Sequence, residues 1–522
     1  MSPITESAFK QRLAEAAAAL ERQQPEQAER QLVGLPAQAD SLRLLGIAQQ
    51  QRGRHAAAAA TFRRALALRP EDALLHNDLG GALRRVGQTE AAIEAFRRAT
   101  QLAPTFVLGW YNLGVALKSE FYVGEARGAF EKTLELDPRF APAWGSLGDT
   151  LKAQGDIDGA VKAYRTGIAY PQTAAQTWYH LADVKTVPLG EDDVAALQAL
   201  LVKPELRDND RIYAGYALAK ALEDVGRYAD AISALDAASR LKRSRLSWDA
   251  PAFSTLVSAI DAAFRTASHP ADDAFGSEVV FVVSLPRSGS TLVEQILSAH
   301  SQIEGANELQ HLHLIIDEES RRRGREFPHW VHEVTPAEWR KLGEDYLART
   351  ARWRKTKPRF TDKGLTNWLF VGAATAMLPG ARFVDCRRDP LETCFSCYRQ
   401  LFSNGNDFSY DVRELAAYWR DHDRLSRTWT ELYPTRFREQ SYEALVESPE
   451  ANIRALLDFL GLEFEPACLD FHHSARAVRT ASAAQVRQPL KRGTARAAAY
   501  GTALDPLRNA LADVQHEQGG DS

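Results

Sequence analysis

The chain has 522 residues, 45% of them apolar and 25% charged, with a formal net charge of -4. That length fits two or three domains, and the composition excludes global disorder and collagen-like architecture. The near-even charge balance excludes a nucleic-acid binder working through bulk charge, and no apolar run approaches the ~20 residues of a membrane span. The N-terminal stretch carries Glu6, Lys10, Arg12 and Glu15 where a signal peptide needs an apolar core, so a soluble cytoplasmic protein is expected. Four cysteines, Cys386, Cys394, Cys397 and Cys468, are too few to staple a chain of this length.

The first half is periodic. Gly46, Gly80, Gly114 and Gly148 stand 34 residues apart, and Pro70, Pro104 and Pro138 keep the same period. Each period holds two helical patterns and closes at a proline, which cannot continue a helix. The segments resemble tetratricopeptide repeats, most clearly over residues 42–171. A divergent repeat precedes them at 8–36, and a last one reads over 217–241. The small residues at Gly80 and Ala95 let paired helices approach, and Phe62, Phe96, Phe130 and Tyr164 are expected to fill the space between repeats. An all-α solenoid over residues 1–245 follows, stabilised by stacking because no repeat has its own core. The resemblance implies a concave face that binds a protein partner or the substrate. One mode of the family, a clamp of paired asparagines on a C-terminal carboxylate, is not evident, since Asn112 corresponds to Asp78 and Ser146 in neighbouring repeats.

Residues 246–276 read as a connector. The pattern then changes at EVVFVVSLP (278–286), a continuous β-branched run expected of a strand buried on both faces. Further strand candidates lie at 359–362, 381–386 and 436–442, separated by helical patterns, one of them opened by a Thr335/Glu338 capping box. Strands alternating with helices predict an α/β domain with a mostly parallel sheet over residues 277–522.

The first strand runs into SLPRSGSTLVEQIL, a tight Gly-bearing loop that opens a helix, which is a phosphate-binding design. Against the nucleoside-triphosphatase pattern GxxxxGK[ST], Ser284 takes the first Gly position, Gly289 the second, Ser290 the Lys position, and Thr291 matches. The lysine is missing, Arg287 supplies a cation from inside the loop, and Asp385 is the nearest candidate for a Mg²⁺ carboxylate. The loop is therefore P-loop-like but not that of a triphosphatase.

PRSGSTL after a strand resembles the 5′-phosphosulfate loop of sulfotransferases that use 3′-phosphoadenosine 5′-phosphosulfate (PAPS). FVDCRRDPLETCFSCYRQL places Arg388 and Ser396 eight residues apart, as the family's 3′-phosphate pair stands. The resemblance covers roughly 278–495 and is closest to the protein-tyrosine sulfotransferase branch and its bacterial repeat-fused relatives. It implies PAPS as co-substrate with no metal, and Arg287, Ser288, Gly289, Ser290, Thr291, Arg388, Ser396, Tyr442 and Ser482 as residues that bind it. It also implies Glu308, 21 residues past Arg287, as catalytic base, and Lys363 as the cation at the departing bridge oxygen, with Arg287 assisting. His311 and His313 are rival bases at i, i+2. RTASAAQVRQPLKRG (479–493) resembles the family's late loop over the cofactor; it carries Ser482, and its Arg487, Lys491 and Arg492 either add to the 3′-phosphate pocket or are solvated.

The expected function is transfer of a sulfuryl group from PAPS to an acceptor hydroxyl of a peptide tyrosine, glycan or small molecule, with the repeats recruiting the acceptor or a partner. The alternative is a non-catalytic repeat scaffold that keeps a nucleotide-binding domain. The basic runs SRRRGR (320–325) and RWRKTKPR (352–359) are either an attraction for anionic acceptors or ordinary solvated faces.

Overall fold

Glycine and aromatic side chains alternate through the N-terminal half of the computed structural model, which describes residues 5–267, 274–402, 405–474, 486–490, 493 and 495–516. The chain divides into two compact units, Met1–His180 and Leu181–Ser522. In the first, five helix pairs follow one another, from Glu6–Glu21 with Pro25–Leu32 to Ala141–Gln154 with Ile157–Ile168. The 34-residue period has a direct cause. A Cβ at Gly80 would stand 2.7 Å from Phe96, and one at Gly114 2.7 Å from Phe130. Gly46 meets Phe62 and Gly148 meets Tyr164 in the same way. The rings thus lie on the glycine of their own repeat, within the helix pair; the expected place between repeats is corrected accordingly, because only a residue without Cβ leaves room for a ring 16 positions later. A second device repeats with the same period. Trp110 Nε1 donates to Pro104 O at 2.9 Å, and Trp144 Nε1 to Pro138 O at 3.0 Å. Each ring satisfies a carbonyl in the turn that follows the second helix of a pair, Pro104 after Thr89–Leu102 and Pro138 after Val123–Leu136. Asn112 Nδ2 donates to Asn77 Oδ1 at 2.8 Å.

The second unit holds a five-stranded parallel sheet: β1 (Val279–Ser284), β2 (Ile303–Gly305), β3 (Arg359–Asp362), β4 (Arg382–Arg387) and β5 (Phe437–Ser441), in the order β2-β3-β1-β4-β5. β1 is buried along its whole length. Val280 and Val282 face one core with Leu292, Ile296, Ile453 and Leu457, while Phe281 stacks on Phe383 at 5.0 Å on the other side. β2 has only three residues, too few for a periodic signal, and the sequence pattern did not predict it. The Thr335/Glu338 capping box forms as expected, with Thr335 N donating to Glu338 Oε2 at 2.9 Å and Glu338 N to Thr335 Oγ1 at 3.3 Å.

Residues 181–245, grouped with the solenoid by periodicity, pack in the second unit. Helices Asp208–Asp224 and Tyr228–Arg243 form a repeat-like pair closed on Gly215 and Ala238. Their polar side chains are taken up by partners in the α/β part: Arg243 binds Glu414 through two hydrogen bonds of 2.7 Å. The expected connector is also built in. Its helix Ala250–Thr266 buries Val257, Ile260 and Phe264, and Ser254 and Asp261 bond to Asp421 and Thr428. Among the described residues no helix is long and apolar enough to cross a membrane.

Candidate active site

The order β2-β3-β1-β4-β5 sends the chain to opposite sides of β1, so the winding of this parallel sheet reverses between β1 and β4, where open α/β sheets bind ligands beyond their strand ends. The loop after β1 occupies that crevice. Arg287 has φ +70° and Gly289 φ +97°, and Gly289 caps the ten-residue helix Ser290–Ala299. A helix start presenting N–H groups with the positive end of its dipole is an anion site. Ser288, Ser290 and Thr291 are buried in the same turn. A Cβ on Gly289 would meet Tyr442 Cδ2 at 2.7 Å, so the glycine is needed for both its backbone angle and its close approach.

The segment after β4 reaches the same loop. Arg287 Nε donates to Ser396 Oγ at 3.0 Å, and Cys397 Sγ lies 3.0 Å from Pro286 O as donor. Arg388 sits 4.9 Å over the Tyr442 ring and donates to Glu392 Oε2 at 3.2 Å. Five residues singled out from sequence, Arg287, Gly289, Arg388, Ser396 and Tyr442, are therefore in one place. Burial lowers the Arg287 guanidinium from its ordinary value, and Arg388 and Arg399 add to the effect. The four cysteines are free and buried, and burial pushes the Cys397 thiol up to about 12, so Cys394 and Cys397, three positions apart, are packing residues.

Glu308 and Lys363 meet at the end of β3. Lys363 Nζ donates to Glu308 Oε1 at 2.9 Å; the lysine side chain is 1% exposed, the glutamate 39%. The glutamate is held there by a residue that the motifs did not single out. Glu294, fully buried on the helix behind the loop, accepts from Asn307 N at 2.8 Å and from Thr361 Oγ1 at 2.9 Å. Lys363 N then donates to Asn307 O at 3.0 Å, and Asn307 adopts φ +62°. The segment leaving β2 is thus clipped to both the helix and β3, which turns Glu308 toward Lys363. The signal available in the sequence was a lone carboxylate inside the apolar run STLVEQIL.

Asp362, next to Lys363, is another buried carboxyl outside the motifs. It accepts from Tyr346 Oη at 2.7 Å, Gly364 N at 3.0 Å and Asn367 Nδ2 at 3.0 Å, and burial pushes it up to about 6. Asp385 takes no place at the loop: it accepts from Ser426 Oγ at 2.6 Å and pairs with His422 at 3.3 Å in the interior. His313 pairs with Asp317 at 3.2 Å on an exposed face, and burial lowers His311. Ser482, Lys491 and Arg492 lie outside the described residues. Asp470, His472 and His473 bring potential ligand atoms within 4.8 Å of one another, with Asp470 and His473 exposed.

The two basic runs are largely spoken for. Arg322 and Arg323 pair with Glu319 and Glu338, and Arg325 with Glu333. Lys357 Nζ donates to the carbonyls of Ser298, His300 and Ile303 at 2.9–3.0 Å. These cations serve the fold.

Residues 279–466 match the model of the sulfotransferase family, and residues 43–105 and 129–162 match tetratricopeptide repeat models. An uncharacterized protein of Aquifex aeolicus (strain VF5) is 29% identical over 321 residues, which are 58% of this chain and 42% of the relative; the chain thus spans under half of that protein's length. A Caenorhabditis briggsae protein described as a "Putative protein-tyrosine sulfotransferase" is 22% identical over 198 residues, 37% of this chain and 69% of the relative. Among solved structures, MamA from Desulfovibrio magneticus RS-1 is 22% identical with a TM-score of 0.30, covering 33% of this chain and 98% of that one. Pseudomonas aeruginosa pilF is 22% identical with a TM-score of 0.33, covering 44% and 91%.

Proposed function

The chain is a tetratricopeptide-repeat protein carrying a sulfotransferase-family domain, and from that premise we propose that it moves a sulfuryl group from PAPS to an acceptor hydroxyl. The observation that carries this reading is the bond from Arg287 to Ser396, which brings the phosphosulfate loop and the 3′-phosphate pair to one crevice. The loop and helix N-terminus bind the 5′-phosphosulfate end of the donor; Arg388 and Ser396 bind its 3′-phosphate.

Chemistry falls to the Glu308–Lys363 pair. Glu308 takes the proton of the acceptor hydroxyl as its oxygen bonds to sulfur, and the bond from sulfur to the bridging oxygen breaks, leaving adenosine 3′,5′-bisphosphate. Protonation of Glu308 removes the charge that holds the Lys363 ammonium, which then serves the negative charge growing on the bridge oxygen. Lys363 needs no metal for that task, because a sulfuryl group carries less negative charge than a phosphoryl group. The repeats recruit the acceptor or a partner protein.

Calorimetric titration with adenosine 3′,5′-bisphosphate, without Mg²⁺ and with ADP as control, tests the donor site. Micromolar binding that favours the bisphosphate supports it; equal binding of both, or of neither, removes the Arg388/Ser396 assignment and leaves a scaffold with a vestigial pocket.

A further inference from the structure

Glu223 lies on helix Asp208–Asp224, in the region that the 34-residue repeat pattern blurs into the solenoid. Its side chain is 5% exposed, and its carboxylate accepts from Arg399, from Arg496 and, at 2.8 Å, from Tyr500 Oη. Burial opposes its charge, and the two guanidiniums overcome burial to hold it below the ordinary glutamate range. Arg399 is the C-cap of helix Pro390–Tyr398, which carries Ser396 and begins two residues after Arg388. The neighbouring residues of that helix end are held in the same way. Tyr398 Oη donates to Asp236 at 2.6 Å, and Gln400 Nε2 donates to Asp183 at 3.2 Å. On the first turn of the helix, Glu392 takes Arg388 and the backbone N–H groups of Arg496 and Ala497, both at 2.8 Å.

A buried ion network adds little net stability compared with apolar packing, while loss of one member leaves a charge stranded. What such a network does well is fix one geometry. Here it fixes the helix that faces Arg287. We propose that Glu223 is a positioning residue of the donor site: by gripping Arg399 and Arg496 it sets helix Pro390–Tyr398 so that Arg388 and Ser396 meet the 3′-phosphate of the donor. The pair Asp208–Arg243, repeat-like in sequence, is then part of the transferase rather than of the recruiting array. This inference rests on the donor-site reading given above.

The test is the affinity of the full chain for adenosine 3′,5′-bisphosphate and for adenosine 5′-monophosphate, which lacks only the 3′-phosphate. Glu223→Gln should weaken bisphosphate binding about tenfold and leave the monophosphate unchanged. Glu223→Asp keeps the charge and the fold while withdrawing the carboxylate by one methylene, so it should show the same selective loss at smaller size; it decides the matter if the Gln variant does not fold. Arg243→Ala, which loosens the same helix pair at its bond to Glu414, should leave the preference intact. Equal weakening of both nucleotides in the Glu223 variants, no weakening of either, or loss of preference in Arg243→Ala as well would overturn the proposal. A wild-type chain with no preference for the bisphosphate would instead overturn the donor-site reading, and the inference with it.

Discussion

Lys363 donates to Glu308 across 2.9 Å, with the ammonium sealed in the protein and the carboxylate open to one side. This asymmetry fits a proton acceptor that must reach a substrate, next to a cation that must not be screened by water. Glu308→Gln keeps the shape and can still accept from Lys363, so adenosine 3′,5′-bisphosphate binding should survive. Turnover with any accepted hydroxyl should fall by about 10²–10⁴. Parallel loss of nucleotide binding would reassign Glu308 to the architecture of the site.

Lys363→Met separates function from stability. The substitution replaces a buried ammonium by an apolar side chain of similar length, and the carboxylate left behind is 39% exposed, so water can take the place of its partner and no charge is stranded in the interior. Thermal unfolding should therefore shift little in either direction while sulfuryl transfer is lost. A large drop in melting temperature would show that Lys363 is held for the fold.

Gly289 is constrained twice, by φ +97° and by the Tyr442 ring. Gly289→Ala should cost about 1–3 kcal/mol of stability through backbone strain and crowding, and should abolish bisphosphate binding. Gly289→Ala with Tyr442→Ala relieves only the crowding. Denaturation midpoints of the single and double variants measure the two costs separately, and full recovery in the double variant would mean that the backbone angle carries no strain.

Asp362 gives the domain a pH dependence of known sign. Its folded value is raised to about 6 from 3.8, so between those limits the folded state keeps a proton that the unfolded chain has released. Stability contributed by this group must fall as pH rises through the window. Asp362→Asn preserves the acceptor for Gly364 and Asn367 and removes the titration. Denaturation at pH 4.5 and 7 should give a wild-type loss larger than the variant's by about 1–3 kcal/mol. Equal losses would contradict the raised value.

Much of this site was legible because its residues announce themselves locally. The run EVVFVVS is a buried strand by composition, PRSGSTL is a loop into a helix, and Arg388 and Ser396 stand on one short segment. What stayed hidden depends on residues distant in sequence. Glu294 matters through Asn307 and Thr361, and Glu223 through Arg399 and Arg496, partners 176 and 273 positions away. The repeat period was visible, yet where it stops contributing to the solenoid was not. Helix Tyr228–Arg243 has the pattern of a repeat, and contacts such as Asp236 on Tyr398 and Arg243 on Glu414 reveal which unit it serves.

The repeat array carries its own prediction, independent of any activity. Gly114 faces Phe130 so closely that a methyl group at 114 must displace the ring, which is itself fully buried and stands 5.9 Å from the Tyr111 ring. Gly114→Ala should therefore destabilise by about 1–3 kcal/mol, as overpacked cores do. Phe130→Leu alone should also destabilise, by opening a cavity. Combined, the two changes exchange volume across one contact, so the double variant should be more stable than the sum of the single effects predicts, a coupling expected of touching residues. Stacked repeats share their interfaces with neighbours, so the loss should spread beyond one helix pair. Hydrogen exchange would report it as lowered protection in Ala73–Leu102 and Ala141–Ile168 as well as in Val107–Leu136. Protection lost in Val107–Leu136 alone would mean that the repeats fold as separate units and that the 34-residue spacing reflects packing within a pair without coupling along the array.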